Sequence, residues 1–287
     1  MAGRLPSWFK KRIPDPGVLV SMKALLDGLS LHTICESALC PNLGDCFQRR
    51  TATFLLLGDI CTRNCTFCAV KKGFPHSPDE KEPEHVVQAA AKMQLKHVVL
   101  TSVTRDDLPD GGASHFARTI TLLKKLGKNV TVEVLIPDFR GSADSLKRVV
   151  DAKPDVVNHN LETVSRLYPE VRPKAKLDRS LNLLRQVKEM DSGIVTKSGV
   201  MVGLGETKEE LLQTMEALRS VNCDLLTIGQ YLQPSPSHHP VIRYVPPKEF
   251  EEYEQIGKAM GFRGIASAPL VRSSFNAERL YDRVRER

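Results

Sequence analysis

ATFLLLGDICTRNCTFCAV, residues 52–70, is an apolar run that leads directly into three closely spaced cysteines. Residues 52–58 have the continuous apolar character of a strand that is buried on both faces of a sheet. Cys61, Cys65 and Cys68 then fall on the loop at the carboxyl end of that strand. Structural zinc sites and most iron–sulfur clusters use four protein ligands, and no fourth cysteine follows at close range. The spacing therefore predicts a three-cysteine iron–sulfur site with one open position, with zinc and inert thiols as the alternatives.

The same strand pattern recurs along the chain, with an amphipathic segment after each strand. The predicted strands are residues 52–58, 96–103, 129–137, 155–163, 194–204 and 224–232. The predicted helices are residues 82–94, 114–127, 142–152, 177–190, 208–221 and 248–260. Because each crossover helix returns the chain in the same direction, the strands are expected to form one parallel sheet. Polar residues at the carboxyl ends of several strands favour a barrel over the alternative, an open doubly wound sheet.

The chain is therefore predicted to be an α/β protein, a partial (β/α)6 TIM-like barrel with an extension at each end. The barrel is predicted to cover residues 51–262, between an N-terminal extension at 1–50 and a C-terminal extension at 263–287. A helix near residues 19–29 is expected in the N-terminal extension. Thr207 and Glu210 are spaced as a capping box in front of the fifth barrel helix.

Composition and charge narrow the class of protein. The formal net charge is +7, but the basic residues are dispersed, as on a solvated surface or one that attracts an acidic partner. Aromatic residues make up 6% of the chain, which disfavours a platform that stacks single-stranded nucleic acid. The apolar runs are too short to cross a bilayer, and the N-terminus lacks the apolar core of a secretory signal. We therefore expect a cytoplasmic protein without a nucleic-acid or membrane partner, and in such a protein cysteines are more often metal ligands than disulfides.

A second cysteine triplet precedes the first strand. Cys35, Cys40 and Cys46 lie in CESALCPNLGDC and again lack a fourth ligand nearby. On the residues alone, a zinc or disulfide staple remains an alternative to an iron–sulfur site. Cys223 is the one cysteine outside both triplets, and we expect it to be a small core residue. Near the C-terminus, RSSF at 272–275 offers a serine oxygen, a poorer ligand for iron than a thiolate.

The Cys61–Cys65–Cys68 spacing on the loop after the first strand resembles the radical S-adenosylmethionine (SAM) superfamily. That resemblance implies a [4Fe-4S] cluster on these three cysteines, with SAM chelating the open iron and being cleaved to methionine and a 5′-deoxyadenosyl radical. Further motifs resemble the lipoyl synthases from about Trp8 to Ala277. They are CESALCPNLGDC, TSVTRDDLPDGGASHF, VEVLIPDFRG, NHNLETV, VRPKAKLDRSL, TKSGVMVGLGET, LTIGQYLQPS and RSSF.

The resemblance to lipoyl synthases implies a second [4Fe-4S] cluster, held by Cys35, Cys40, Cys46 and Ser274, that donates sulfur. It also implies the activity, a sulfurtransferase reaction that inserts sulfur at C6 and C8 of a protein-bound octanoyl-lysine. Two departures stand beside these ligands. The family usually has Tyr where this chain has Phe275, and Glu-Cys-Trp where it has Asp45-Cys46-Phe47.

Five further residues are predicted to contact SAM. Asn158 and Glu162 are candidates for the ribose hydroxyls, and Arg172 is the candidate for the carboxylate. Glu133 is the candidate for the amino group, and Gly203 for a close backbone approach to adenine. The alternative for each is a structural hydrogen bond at the barrel rim.

The implied partners are proteins. They are octanoylated lipoyl-carrier domains, namely E2 subunits of 2-oxoacid dehydrogenases and the glycine cleavage H protein. A reductant such as ferredoxin or flavodoxin and a cluster-assembly carrier complete the set. Two other functions remain open from the residues: sulfur insertion into tRNA or a ribosomal protein, and electron transfer through two clusters.

Overall fold

The computed structural model describes residues 5–11, 14–127 and 129–285. Of the predicted extensions, residues 1–4, 12–13 and 286–287 therefore lie outside the described residues, as does Lys128. In the described ranges, no helix combines the length and the apolar character that a membrane crossing requires.

One sheet carries the fold. The strands in chain order are β1 (His32–Thr33), β2 (Thr53–Leu56), β3 (Ile60–Cys61), β4 (Lys71–Lys72), β5 (His97–Ser102), β6 (Thr131–Leu135), β7 (Val156–Asn158), β8 (Val195–Val202), β9 (Leu225–Gln230) and β10 (Gly264–Ser267). Eight of them form a sheet in the order β1-β2-β5-β6-β7-β8-β9-β10. The neighbours from β2 to β10 are parallel, whereas β1 pairs antiparallel with β2. The strands β3 and β4 form a separate parallel pair.

Helices follow the strands, as a right-handed parallel arrangement requires. They are α1 (Pro16–Asp27), α2 (Ile34–Ser37), α3 (Leu43–Gln48), α4 (Glu82–Met93), α5 (Ala113–Lys124), α6 (Ala143–Asp151), α7 (Tyr168–Val171), α8 (Leu177–Met190), α9 (Lys208–Ser220), α10 (Pro247–Ala259) and α11 (Ala277–Arg285). The six predicted barrel strands and six predicted barrel helices are all present. The predicted capping box is confirmed, because Thr207 and Glu210 each bond the other's backbone N–H at the start of α9. The predicted partial barrel is therefore confirmed.

Two strands of the sheet fall in the predicted extensions. β1 joins one edge of the sheet from the N-terminal side, and β10 joins the other edge beside β9. Both are short, with two and four residues, so neither shows a strand period in the sequence. The predicted barrel boundary at residue 262 thus leaves out one strand of the sheet, and the three-part division of the chain otherwise stays a prediction.

The core lies between the strands and the surrounding helices. Phe54, Leu100, Val134 and Val157 in successive strands are fully buried. Burial on both faces is the reason that these strands are continuously apolar in sequence. Cys223 is also fully buried, as expected for a core residue.

The register of the sheet aligns the carboxyl ends of neighbouring strands. Leu56 at the end of β2 pairs with Ser102 at the end of β5. In the same way, Leu135 at the end of β6 pairs with Asn158 at the end of β7. Residues that follow these ends therefore meet at one end of the barrel, which is where parallel barrels carry their active sites.

Candidate functional site

A cavity of about 490 Å³ lies at the carboxyl ends of the strands. Its wall includes the strand-end residues Ser102, Ile136 and Tyr231. It also includes every cysteine of both triplets together with the serine of the RSSF motif: Cys35, Cys40, Cys46, Cys61, Cys65, Cys68 and Ser274. Residues that are more than 200 positions apart in the chain thus meet in one space.

Hydrogen bonds within the loop shape the first triplet. The strand pair β3–β4 closes this loop, and the N–H of Gly73 donates to the carbonyl of Cys61 over 3.0 Å. The N–H of Arg63 donates to the Cys61 sulfur over 3.4 Å. Backbone hydrogen bonds within the loop that carries these three cysteines therefore close it on itself.

Arg63 anchors the same loop to the barrel. Its guanidinium donates to both oxygens of Asp106, over 2.8 and 2.9 Å, and to Asp138 over 2.5 Å. Arg179 donates to the second oxygen of Asp138 over 3.1 Å. Such bidentate charged hydrogen bonds fix geometry strongly. The position of the first triplet is thus set by residues outside it.

Two short helices present the second triplet. Thr33 caps α2 by accepting from the N–H of Glu36, and α2 carries Cys35. The N–H of Cys40 then donates to the carbonyl of Cys35 over 3.0 Å, which turns the chain before α3 and Cys46. The CESALCPNLGDC segment therefore contains parts of two short helices joined by a turn, and its three cysteines line the cavity.

Burial changes the pKa values of four of the cysteine thiols. Burial raises the pKa of the Cys35 and Cys68 thiols to about 12, and it raises the pKa of Cys46 and Cys65 as well. These thiols are therefore protonated at neutral pH until the positive charge of a bound metal group displaces the protons. Within the part of the chain that the structure describes, no three His, Cys, Asp or Glu side chains stand together so as to hold one metal ion.

Polar atoms without partners face the same cavity. Ser102 Oγ, Asn160 Oδ1 and Arg172 Nε are buried and find no hydrogen-bond partner among the described residues. All three residues line the cavity. Because buried polar atoms are normally satisfied, these atoms point to a polar ligand that binds there. The cavity wall thus fits a small polar cofactor beside the cysteines.

Two of the predicted SAM contacts lie on the cavity wall. Glu162 sits directly after the β7 region in a left-handed conformation with φ +65°, and Arg172 approaches it from the end of α7. Burial raises the pKa of Glu162, although the charge of Arg172 opposes that rise. The guanidinium of Arg172 donates through Nη1 to the carbonyls of Asn160 and Leu161, which aims the side chain into the cavity.

Glu133 and Asn158 lie deeper in the barrel, and the described cavity wall does not include them. Glu133 Oε1 accepts from Lys197 Nζ over 2.8 Å and from Asn158 Nδ2 over 3.3 Å. Burial alone would raise the pKa of Glu133, but Lys197 and His97 together lower it to about 2. Both residues thus belong to a buried charge network, in which Glu133 Oε2 and Asn158 Oδ1 find no hydrogen-bond partner among the described residues.

Gly203 is also away from the described cavity wall. Its backbone has φ +93°, and a Cβ added there would stand 2.0 Å from Gln230 Nε2 and 2.5 Å from the carbonyl oxygen of Arg243. The glycine therefore allows the close approach of Gln230 and Arg243 to the backbone, and its contact with SAM stays a prediction.

Several cavity residues were missed by sequence reasoning. Asn160, Arg63, Asp138 and Arg272 all line the cavity. Asn160 could have been found, because it lies between two residues of NHNLETV that were singled out. Arg63 could also have been found, since a charged residue inside a tight cysteine loop needs a counter-ion. Arg272 and Asp138 lie within the quoted motifs RSSF and VEVLIPDFRG, but no role was predicted for either residue.

Comparisons with known proteins agree over nearly the whole chain. The model of the Radical SAM superfamily matches residues 55–218. A lipoyl synthase of Caldanaerobacter subterraneus subsp. tengcongensis is 59% identical over 278 residues, which covers 97% of this chain and 97% of that protein. A lipoyl synthase of Caldicellulosiruptor saccharolyticus is 54% identical over 278 residues, which covers 97% of this chain and 98% of that protein.

The crystal structure of HydG, a maturase of the [FeFe]-hydrogenase, shares the fold with a TM-score of 0.58 at 16% identity, over 88% of this chain and 57% of that chain. At that identity the likeness concerns the fold alone. The two sequence relatives, in contrast, match this chain almost from end to end at more than half identity. The chain therefore belongs to the lipoyl synthase family of the radical SAM superfamily.

Proposed function

We propose that this chain is a sulfurtransferase that inserts two sulfur atoms, at C6 and C8, into an octanoyl group carried on a lysine of a carrier protein. The observation that carries the proposal is the meeting of both cysteine triplets and Ser274 on one cavity. Membership of the lipoyl synthase family supports the same reaction and disfavours the tRNA and electron-carrier alternatives.

The chemistry calls for a radical. C6 and C8 are unactivated methylene and methyl carbons, and side-chain environments shift pKa values by only a few units, so no side-chain base can deprotonate them. The cofactors of this family are SAM and [4Fe-4S] clusters, which supply a 5′-deoxyadenosyl radical and sulfide when bound. The protein contributes binding, orientation and the exclusion of water.

The residues divide between the two clusters. We assign Cys61, Cys65 and Cys68 to the cluster that cleaves SAM, with Glu162 and Arg172 beside the bound SAM. We assign the auxiliary cluster, the sulfur donor, to a set of four ligands: Cys35, Cys40, Cys46 and Ser274. A serine oxygen holds iron less firmly than a thiolate, which suits a cluster that must lose iron as its sulfide is transferred.

The cavity also suits an acyl chain. Its wall includes the apolar side chains of Leu55, Val70, Ile136 and Met201 between the polar groups. Apolar contacts of this kind bind a hydrocarbon chain in proportion to the area that they cover. The cavity wall thus offers apolar contacts to the octanoyl group in the same space that both triplets line.

The substrate is a lipoyl-carrier protein, and the more specific partners are proposals. We propose E2 subunits of 2-oxoacid dehydrogenases and the glycine cleavage H protein as substrates, a ferredoxin or flavodoxin as reductant, and an assembly protein that rebuilds the auxiliary cluster. The net charge of +7 is suited to an acidic carrier surface. We expect the association rate with such a carrier to fall as salt rises, and a rate that is indifferent to salt argues against steering. A cytoplasmic location stays a prediction.

The proposed reaction is tested with the full chain, reconstituted with iron and sulfide under anaerobic conditions. It is incubated with SAM, dithionite and an octanoyl-lysyl peptide, and the peptide is analysed by mass spectrometry. We expect the gain of two sulfur atoms per peptide. Formation of 5′-deoxyadenosine without any sulfur in the peptide overturns the proposed reaction.

A matched variant tests the role assigned to the serine. Ser274→Cys replaces an oxygen ligand by a thiolate that holds iron more firmly. We expect normal iron content but a lower yield of doubly sulfurated peptide. A yield equal to that of the unmodified chain contradicts the assignment of Ser274 as the labile ligand.

A further inference from the structure

The segment that carries Ser274 is held on both sides by residues outside the two triplets. On the barrel side, Asn160 Nδ2 donates to Ser273 Oγ over 2.7 Å. On the N-terminal side, Asn42 Nδ2 donates to the carbonyl of Leu270 over 2.7 Å, and Arg49 Nη1 donates to Asn276 Oδ1 over 2.6 Å. Ser274 therefore lies between anchored neighbours. We call residues 270–276 the serine strap.

The ring of Phe275 adds a second kind of anchor to the serine strap. The guanidinium carbon of Arg49 lies 5.2 Å from the ring centroid, and Lys11 Nζ lies 5.8 Å from it. Both distances fall within the range of cation–π attraction. Lys11 is itself held by Asp45, whose Oδ2 is 2.6 Å from the ammonium nitrogen. The ring thus connects the strap to the segment that carries the second triplet.

Two residues that depart from the usual family sequence take part in this arrangement. Phe275 stands where a tyrosine is usual, and Asp45 stands where a glutamate is usual. Both residues contact Lys11 here, Phe275 through its ring and Asp45 through its carboxylate. Because the cations interact with the face of the ring, the anchor does not need a hydroxyl group.

Asn160 links the strap to the wall where SAM is proposed to bind. Its Nδ2 group donates one hydrogen to Ser273 and the other to Glu162 Oε1 over 3.0 Å. An amide nitrogen has two donors, so both are used. A change at Asn160 therefore acts on the strap and on Glu162 together.

We propose that Asn160, Arg49 and Phe275 are positioning residues that keep the serine strap in place, so that Ser274 faces the auxiliary cluster even when its oxygen is not bound to iron. Fixing a free segment costs backbone conformational entropy at each of its residues. A weak oxygen–iron bond would have to offset that cost if the strap were free. With the strap already ordered, the weak bond can form and break without loss of the site. The inference rests on the assignment of Ser274 in the proposed function.

The test isolates the auxiliary cluster. In a full-length background with Cys61, Cys65 and Cys68 replaced by alanine, iron is bound only at the other site, and neither SAM nor substrate is needed. The rate at which a chelator removes iron is measured, together with the visible spectrum of the cluster. Phe275→Leu removes the ring face but keeps an apolar side chain, and Phe275→Tyr keeps the ring face as the matched control.

We expect Phe275→Leu to lose its most labile iron about fivefold faster, the equivalent of about 1 kcal/mol, and Phe275→Tyr to match the background. The same pair is then compared in a Ser274→Ala background, where there is no oxygen ligand to position. There we expect the difference between Leu and Tyr to disappear. Asn160→Ala is expected to speed iron loss in the same way, and also to weaken SAM binding in the chain with both clusters.

The proposal is overturned if Phe275→Leu and Phe275→Tyr lose iron at equal rates. It is also overturned if the Leu effect is equally large after Ser274→Ala, because the ring then acts only on general stability. These outcomes are independent of sulfur insertion. A chain that shows the strap effect but adds no sulfur to the peptide refutes the proposed reaction and leaves the strap in place.

Discussion

Replacement of Lys197 by methionine removes one charge from a pair that is sealed inside the barrel. Lys197 Nζ is 2.8 Å from Glu133 Oε1, and both side chains are 0% exposed. His97 Nε2 is 3.4 Å from the other carboxylate oxygen. Asn158 donates to Oε1 as well. Glu133 therefore keeps two weaker partners when its main counter-ion is lost.

The expected cost follows from the burial of this pair. Removal of one partner of a buried ion pair costs about 3–5 kcal/mol, because the other charge remains without compensation. The contacts of His97 and Asn158 with Glu133 place Lys197→Met at the lower end, at about 3 kcal/mol. Unfolding of the cluster-free chain in urea measures this loss. With a slope of about 3 kcal/mol per molar, the midpoint should fall by about 1 M.

The double variant Lys197→Met with Glu133→Leu is the matched control. It removes both charges, and replacement of a buried pair by apolar residues is often neutral or stabilising. His97 then keeps its hydrogen bond with Thr131 over 2.8 Å. We expect the double variant to regain most of the stability that Lys197→Met loses. A loss below about 1 kcal/mol for Lys197→Met, or no recovery in the double variant, refutes the reasoning.

The pH dependence has a definite sign. In the unmodified chain the pKa of Glu133 is lowered to about 2, so its stabilising contribution is present above the unfolded value of about 4.3 and is lost as pH falls from there toward 2. In Lys197→Met the pKa of Glu133 rises, since burial is no longer opposed by the ammonium group. Protonation then relieves the buried charge, and the stability deficit of the variant should shrink on acidification.

The same double variant tests the prediction that Glu133 contacts the amino group of SAM. Because Glu133 lies deeper than the described cavity wall, we expect the affinity for SAM to stay within about twofold, measured by equilibrium dialysis of the chain with both clusters. A weakening of tenfold or more restores Glu133 as a SAM contact, since that corresponds to about 1.4 kcal/mol.

Three other substitutions test separate features. Burial lowers the pKa of His159 to about 4, so the stability that this neutral imidazole contributes is present above pH 6.5 and is lost as pH falls toward 4. We expect His159→Gln to reduce the slope of the unfolding free energy against pH by up to about 1.4 kcal/mol per pH unit, measured by urea unfolding at several pH values. An unchanged slope contradicts the assignment of this pH dependence to His159. Thr207→Ala removes the side-chain cap of α9 and should lower the free energy of unfolding by about 1 kcal/mol. Thr207→Ser keeps the hydroxyl group and should lower it little. Equal losses of stability in the two variants would show that the hydroxyl does not stabilise the helix. Gly203→Ala places a Cβ 2.0 Å from Gln230 Nε2 and should lower the thermal midpoint more than Gly261→Ala, which shares the positive φ but meets nothing within 4 Å.

The regular part of the fold was predictable because its signals are local and repeated. Each barrel strand is long enough or apolar enough to stand out between two amphipathic helices. The edge strands β1 and β10 were not predictable, since two and four residues do not establish a period and their pairing depends on distant partners. These two strands are too short to be recognised from the sequence, whichever residues they contain.

The sequence indicated that the cysteines belong to local groups, but it did not indicate how deep each polar residue lies in the barrel. The spacing within each triplet is local, whereas the role of a polar strand residue depends on its depth. Glu133 is in the middle of β6 and is paired in register with Val156, below the strand end at Leu135. At that depth it meets Lys197 rather than the cavity. Glu162 lies beyond the end of β7 and reaches the wall. A sequence shows that a residue is polar and near a strand end, but two or three residues of depth decide what it contacts.

The order of the strands explains how ligands from opposite ends of the chain come together. The two edges of the sheet are β1 and β10, and in the described residues they are not paired with each other. Cys35 follows β1 by two residues, and Ser274 follows β10 by seven. Each edge thus leads directly into a segment that lines the cavity, while β2 leads into Cys61. The proposed auxiliary ligands are therefore far apart in the sequence, but each follows one edge strand of the incomplete barrel. The strand order, rather than the spacing along the chain, accounts for their meeting on one cavity.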